Sequence, residues 1–117
     1  MSVTDRISPA LRAQARTLDD LGLVDIAWSR EHAREVLNAI RARDIAVLGG
    51  DVYREQGGQL EHTCDNWHCE RLPEESLAQY ARRSWQHTWE YVARYPDNKA
   101  QKVFFRLVMS DEPTAGL

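Results

Sequence analysis

Cysteine is scarce in this chain, with two in 117 residues. That is too few for a disulfide framework, and a reducing compartment, the cytoplasm, is the expected setting. No apolar run approaches the ~20 residues of a membrane-spanning helix, and no hydrophobic stretch follows Met1, so neither a span nor a secretory signal is expected. An excess of positive charge is also missing. Fifteen Lys and Arg stand against 18 Asp and Glu, a formal net charge of −3. This argues against direct nucleic-acid or anionic-membrane binding, since both need a basic surface. Lysine is nearly absent: 13 of the 15 bases are Arg, a bias compatible with a GC-rich bacterial genome.

What is present is enough apolar material, 43% of the residues, for one ordinary core. A length of 117 residues falls in the single-domain range. One domain over residues 1–117 is expected, ordered from about 9 to 110, with mobile termini. The charge is unevenly placed. Residues 44–75 hold eight acids (Asp44, Asp51, Glu55, Glu61, Asp65, Glu70, Glu74, Glu75) against Arg54 and Arg71, a net of −6, while both flanking segments are slightly positive.

Ser8-Pro9 reads as a helix start, with Leu11, Ala15 and Leu18 on one face and Gly22 as the stop. Ser29 caps a second helix whose stripe is Ala33, Val36, Leu37 and Ile40, with Trp28 folding back on it as a hydrophobic staple. Ile45–Leu48 suits a buried strand ended by Gly49-Gly50. Residues 51–55 and 59–63 flank Gln56-Gly57-Gly58 as a β-hairpin, and Cys64–Leu72, lacking any period, reads as an ordered loop. Pro73 opens a long helix carrying Leu77, Ala81, Trp85, Trp89 and Val92, broken at Pro96-Asp97-Asn98. Lys102–Ser110 alternates as a central strand. The order α-α-β-β-β-α-β predicts an α+β fold, a small sheet of about four strands covered by about three helices.

Chemistry is thinly signalled. Gly49-Gly50-Asp51 lacks the Lys-Ser/Thr and the following helix of a phosphate-binding loop. His62, Cys64, Asp65, His68 and Cys69 are five potential ligands within eight residues, but no second Cys/His pair completes a zinc site. A Cys–His nucleophile there would lack an orienting third group and an oxyanion feature. Neither a catalytic residue, a metal nor a cofactor is therefore expected. A small metal- or thiol-dependent enzyme centred on His62–Cys69 is the alternative.

Trp67 is the aromatic with two readings: a plug for the end of the sheet, or an anchor at a protein interface, where Trp and Tyr are enriched. Tyr53 is a second such anchor. Charged residues protect hairpin edges, which accounts for Glu55 and Glu61 but less well for Asp51, Asp65 and Glu70. Acidic groups around aromatic anchors would steer a basic partner. The candidate partner-binding set is thus Asp51, Tyr53, Asp65, Asn66, Trp67, His68 and Glu70.

The run Asp44-Ile-Ala-Val-Leu-Gly-Gly-Asp-Val-Tyr53, then Asp65-Asn-Trp-His-Cys69, Ser84-Trp85 and the upstream Leu21–Ser29, resembles the immunity protein 40 family of bacterial polymorphic toxin systems, over roughly residues 18–109. Family members tend to carry Gly at the position of Asp44 and an aromatic at that of His68. The resemblance implies a non-enzymatic, cytoplasmic α+β protein that neutralises a cognate toxin domain by covering its active site or substrate path. A basic nuclease would suit the acidic segment.

Overall fold

Antiparallel pairing organises the chain. In the computed structural model, residues 7–23, 25–96 and 101–110 are described. The strands are β1 (Arg16–Thr17), β2 (Ile26–Ser29), β3 (Val47–Gln56), β4 (Gln59–His68) and β5 (Val103–Met109). The helices are α1 (Pro9–Arg12), α2 (Arg30–Ile40) and α3 (Leu77–Arg94). The five strands form one sheet in the order β1-β2-β5-β3-β4, every neighbouring pair antiparallel. The α+β class is as expected, and the two-residue β1 raises the strand count to five. The expected mobile tail, Asp111–Leu117, lies outside the described residues, as do residues 1–6.

Several elements differ from their sequence readings. Only Pro9–Arg12 is helical near the start, and Ser8 makes no side-chain capping bond. The chain then forms β1 and a single 3-10 turn, Asp19–Leu21, which Gly22 does close at φ +74. Trp28 is no staple. It lies in β2 and is 1% exposed. Gly49-Gly50 does not end a strand either: β3 runs through it from Val47 to Gln56. The expected loop at Cys64–Leu72 is strand as far as His68. A bulge interrupts its pairing, since the register passes from Asp51↔Asn66 to Tyr53↔His62 and leaves Thr63, Cys64 and Asp65 opposite Val52 alone. Helix α3 starts later than Pro73, at a capping box in which Ser76 Oγ accepts from the Gln79 N–H and the Gln79 side chain accepts from the Ser76 N–H. Asp44 adopts φ +53, the left-handed region glycine enters freely and Asp tolerates.

Two cores result from the pleat. Trp28, Val52, Trp67, Phe105 and Leu107 point to the face covered by α2 and α3, where they meet Val36, Leu37, Ile40, Trp85 and Val92. Their chain neighbours Ala27, Tyr53 and Phe104 point the other way and join Leu18 and Leu60 in a smaller cluster. The helices are locked in place by buried polar contacts. The Trp85 indole N–H donates to the Leu37 carbonyl at 2.6 Å, and the Val47 N–H donates to the buried Ser84 hydroxyl at 3.0 Å.

Candidate functional site

The two glycine- and tryptophan-containing elements are cross-strand partners. Gly49 pairs with His68, Gly50 with Trp67 and Asp51 with Asn66. The glycines are demanded by contact. A Cβ on Gly50 would lie 2.1 Å from the Arg106 carbonyl oxygen and 2.3 Å from the Trp67 ring. One on Gly49, at φ +155, would lie 2.2 Å from the Trp67 carbonyl oxygen. Trp67 lies across Gly50, 6% exposed, stacked on Tyr91 at 4.5 Å, with its indole N–H donating to Thr88 Oγ1 at 3.1 Å. It is a core residue on a strand, and the plug reading holds over the anchor reading. Tyr53 is also buried, at 1% exposed, edge-on to the His62 ring at 5.0 Å. Burial and then the Asp51 carboxylate push its hydroxyl pKa up. Neither ring is offered to a partner.

Their neighbours on β3 and β4 are more open to solvent. Alternation along β3 and β4 turns Asp51, Asn66 and His68 onto the face opposite the helices. Arg106, paired with Asp51 across β3 and β5, reaches two carboxylates: its Nε donates to Asp25 Oδ2 at 2.6 Å and its Nη1 to Asp51 Oδ2 at 2.9 Å. Burial alone would lower the Arg106 pKa, but the bonds to Asp25 and Asp51 outweigh it and raise it. His62 Nε2 lies 3.3 Å from Asp51 Oδ1. Asn66 and His68 are exposed, and no side-chain hydrogen bond engages either among the described residues.

Asp65 and Glu70 are not part of this patch. Asp65 accepts from the Tyr95 hydroxyl at 2.6 Å on the helix-covered side. Burial first, and then that bond, raise the Tyr95 pKa. Glu70 lies past the end of β4, where its carbonyl accepts from Arg83 Nη2 at 2.6 Å. The seven candidates therefore separate into three that share a face, two in the cores and two elsewhere.

Folding also changes the charge of the acidic third. Asp51, Glu55 and Glu75 are paired with Arg106, Arg16 and Arg83, bases drawn from the flanking segments. The Arg83 hydrogen bond holds the Glu75 carboxyl at about 2, against an ordinary 4.5. Glu61, Glu70 and Glu74 have no ion pair among the described residues. Arg106, Asp25 and Arg83 escaped the sequence reading because their partners are 8 to 81 positions away and no local period marks such pairs.

The His62–Cys69 segment does not form a nucleophile–base pair. His62 Nδ1 accepts from the Cys64 N–H at 2.7 Å while Nε2 faces Asp51, so both ring nitrogens are engaged away from the thiol. Cys64 is exposed at the bulge, with φ +71, and Cys69 is buried with its Sγ 3.0 Å from Arg83 Nη1. Among the described residues, no three His, Cys, Asp or Glu side chains are grouped to hold a metal, and no helix is long and apolar enough to cross a membrane.

Fold and surface together define a small α+β protein whose sheet carries Asp51, Asn66 and His68 on the face opposite α2 and α3. The chain matches the model of immunity protein 40 over residues 17–109 and belongs to that family. Comparison with curated proteins and with solved structures gave no match.

Proposed function

We propose that this protein is an immunity protein that binds and neutralises a cognate toxin domain in the cytoplasm, without catalysis of its own. The contact surface is the helix-free sheet face around Asp51, Asn66 and His68. The observation that carries this reading is the pairing of unengaged polar side chains with rigid backbone. Asn66 and His68 stand exposed on β4, while Trp67 between them is buried against Gly50. Side chains fixed on a strand lose little freedom on binding. Arg106 pre-orders Asp25 and Asp51 beside them, presenting carboxylates without a search.

Asp25 and Asp51 together exceed the single charge of Arg106, and this excess would speed encounter with a basic partner. Toxins that act on nucleic acids are commonly basic, so a nuclease domain is the favoured target, occluded where it would hold phosphate.

Rescue of cells expressing the toxin domain encoded beside this chain tests the proposal. Wild type and Cys64→Ser should restore growth, and the Asn66→Lys/His68→Lys pair should not. Loss of rescue in Cys64→Ser alone would favour the thiol-dependent alternative instead.

A further inference from the structure

A cleft of about 900 Å³ opens where the start of α2 meets the start of β5 and the side of α3, lined by none of Asp51, Asn66 and His68. Its charge is opposite to that of residues 44–75. Arg16, Arg30, Arg34 and Lys102 line it, and Glu31 is the one carboxylate among its lining residues. Arg16 is already committed to Glu55; the other three cations have no carboxylate partner among the described residues.

Two of these cations are held rather than loose. Arg30 Nη1 donates to the carbonyls of Val92 at 2.9 Å and Ala93 at 3.1 Å, and its guanidinium carbon lies 6.0 Å from the Phe105 ring centre. Arg34 sits 5.6 Å from the ring centre of Trp89, which is itself stacked on Trp85. Each nevertheless keeps an unused donor. Arg30 Nη2 and Arg34 Nε are shielded from solvent and have no hydrogen-bond partner, which is costly for charged donors unless an acceptor arrives. Arg30 and Arg34 are one helical turn apart on α2, with Lys102 just before β5, so the positive groups are strung along the cleft rather than converging on one point.

We propose that this cleft receives an acidic segment of the partner protein, whose carboxylates pair with the cationic side chains of Arg30, Arg34 and Lys102 that line it. Arg is the residue suited to such planar, charge-assisted pairing. The size and spacing favour a run of carboxylates over a single small ion. The inference rests on the reading of this chain as a protein that binds another protein. It adds a second contact of opposite sign, so that a correct partner must match an acidic face and a basic cleft at once.

The free chain suffices for the test, so the outcome does not depend on which toxin is bound. Hexaglutamate is titrated into the labelled protein at low salt while the Trp89 indole resonance is followed, with inorganic phosphate titrated in parallel. The expected result is a saturable shift with hexaglutamate, weakened at least fivefold by Arg34→Gln and by Lys102→Gln, abolished at 0.5 M salt, and much smaller with phosphate. Lys102→Gln leaves the Arg34–Trp89 stack in place, so a loss there is a loss of binding and not of local structure. No shift, an equal response to phosphate, or full binding by both variants would overturn the proposal.

Discussion

Replacing Trp67 by Ala should cost stability first and foremost. The ring is 6% exposed, stacked on Tyr91, edge-on to Phe105 at 6.4 Å, and laid over Gly50, which has no side chain to fill the space it would leave. Truncating an aromatic in such a position costs about 3–5 kcal/mol through lost transfer energy and the residual cavity. The buried Thr88 hydroxyl loses its indole donor as well. Trp67→Phe retains most of the ring volume but leaves that hydroxyl unpaired, so about 1–2 kcal/mol is expected there. A domain of this size is stable by about 5–15 kcal/mol, so the Ala variant still folds but melts about 10–20 °C lower. Urea denaturation followed by far-UV circular dichroism should show a lower midpoint with an unchanged slope. Unchanged stability in Trp67→Ala, together with lost partner binding, would refute the core assignment and restore the anchor reading.

Three further outcomes follow from the same contacts. Gly50→Ala should destabilise by at least about 1–3 kcal/mol, because its Cβ meets the Arg106 carbonyl and the Trp67 ring. Combined with Trp67→Ala it should cost less than the two separately, since one of the clashes is gone, and a double-mutant cycle in urea measures this. Ser76→Ala removes half of the α3 capping box and should cost about 1 kcal/mol, read as a lower thermal midpoint. Glu75 is held at about 2 in the fold against 4.5 in its absence, so its stabilising effect is complete above pH 4.5 and fades as pH falls toward 2. Denaturation midpoints between pH 6 and 2 should fall more shallowly for Glu75→Gln than for wild type.

The legible parts of this fold are those whose cause is local. Ser29 and the Ala33–Val36–Leu37–Ile40 stripe write α2 into the sequence, and the period-2 run of β5 is equally plain. Gly57-Gly58, at φ +61 and +82, mark the hairpin turn. The misread parts have causes far along the chain. Gly49-Gly50 looks like a strand end, yet the glycines exist because Trp67 and the Arg106 backbone press on them. Around the bulge at Thr63–Asp65, the buried residues of β4, Leu60 and Trp67, point to opposite faces, so no apolar period shows the strand continuing. Trp28 in β2 reads as a helix staple because its strand is only four residues long.

At the candidate site, Asp51, Asn66 and His68 were identifiable as neighbours of the Gly-Gly and Trp elements. Their division from Trp67 and Tyr53 was not: Trp67 points to the opposite face of a strand that the loop reading concealed, and Tyr53 shares the face of Asp51 but is covered there by Leu18 and Leu60, a contact with no local signal. The segment charge was likewise a sum over residues that the fold separates. Arg16, Arg83 and Arg106 cross from the flanking thirds to pair with three of its acids.

The most direct measurement is the affinity of the purified protein for a toxin domain found encoded by a neighbouring gene, taken by calorimetric titration for wild type and for Asn66→Lys/His68→Lys. Both replaced side chains are exposed on β4, so the variant should melt within a few degrees of wild type. Tight stoichiometric binding by wild type, weakened at least a hundredfold in the variant, is the predicted result. Equal affinities for the two proteins would contradict the assignment of the helix-free face as the toxin-binding surface, and no binding by wild type would contradict the immunity function itself.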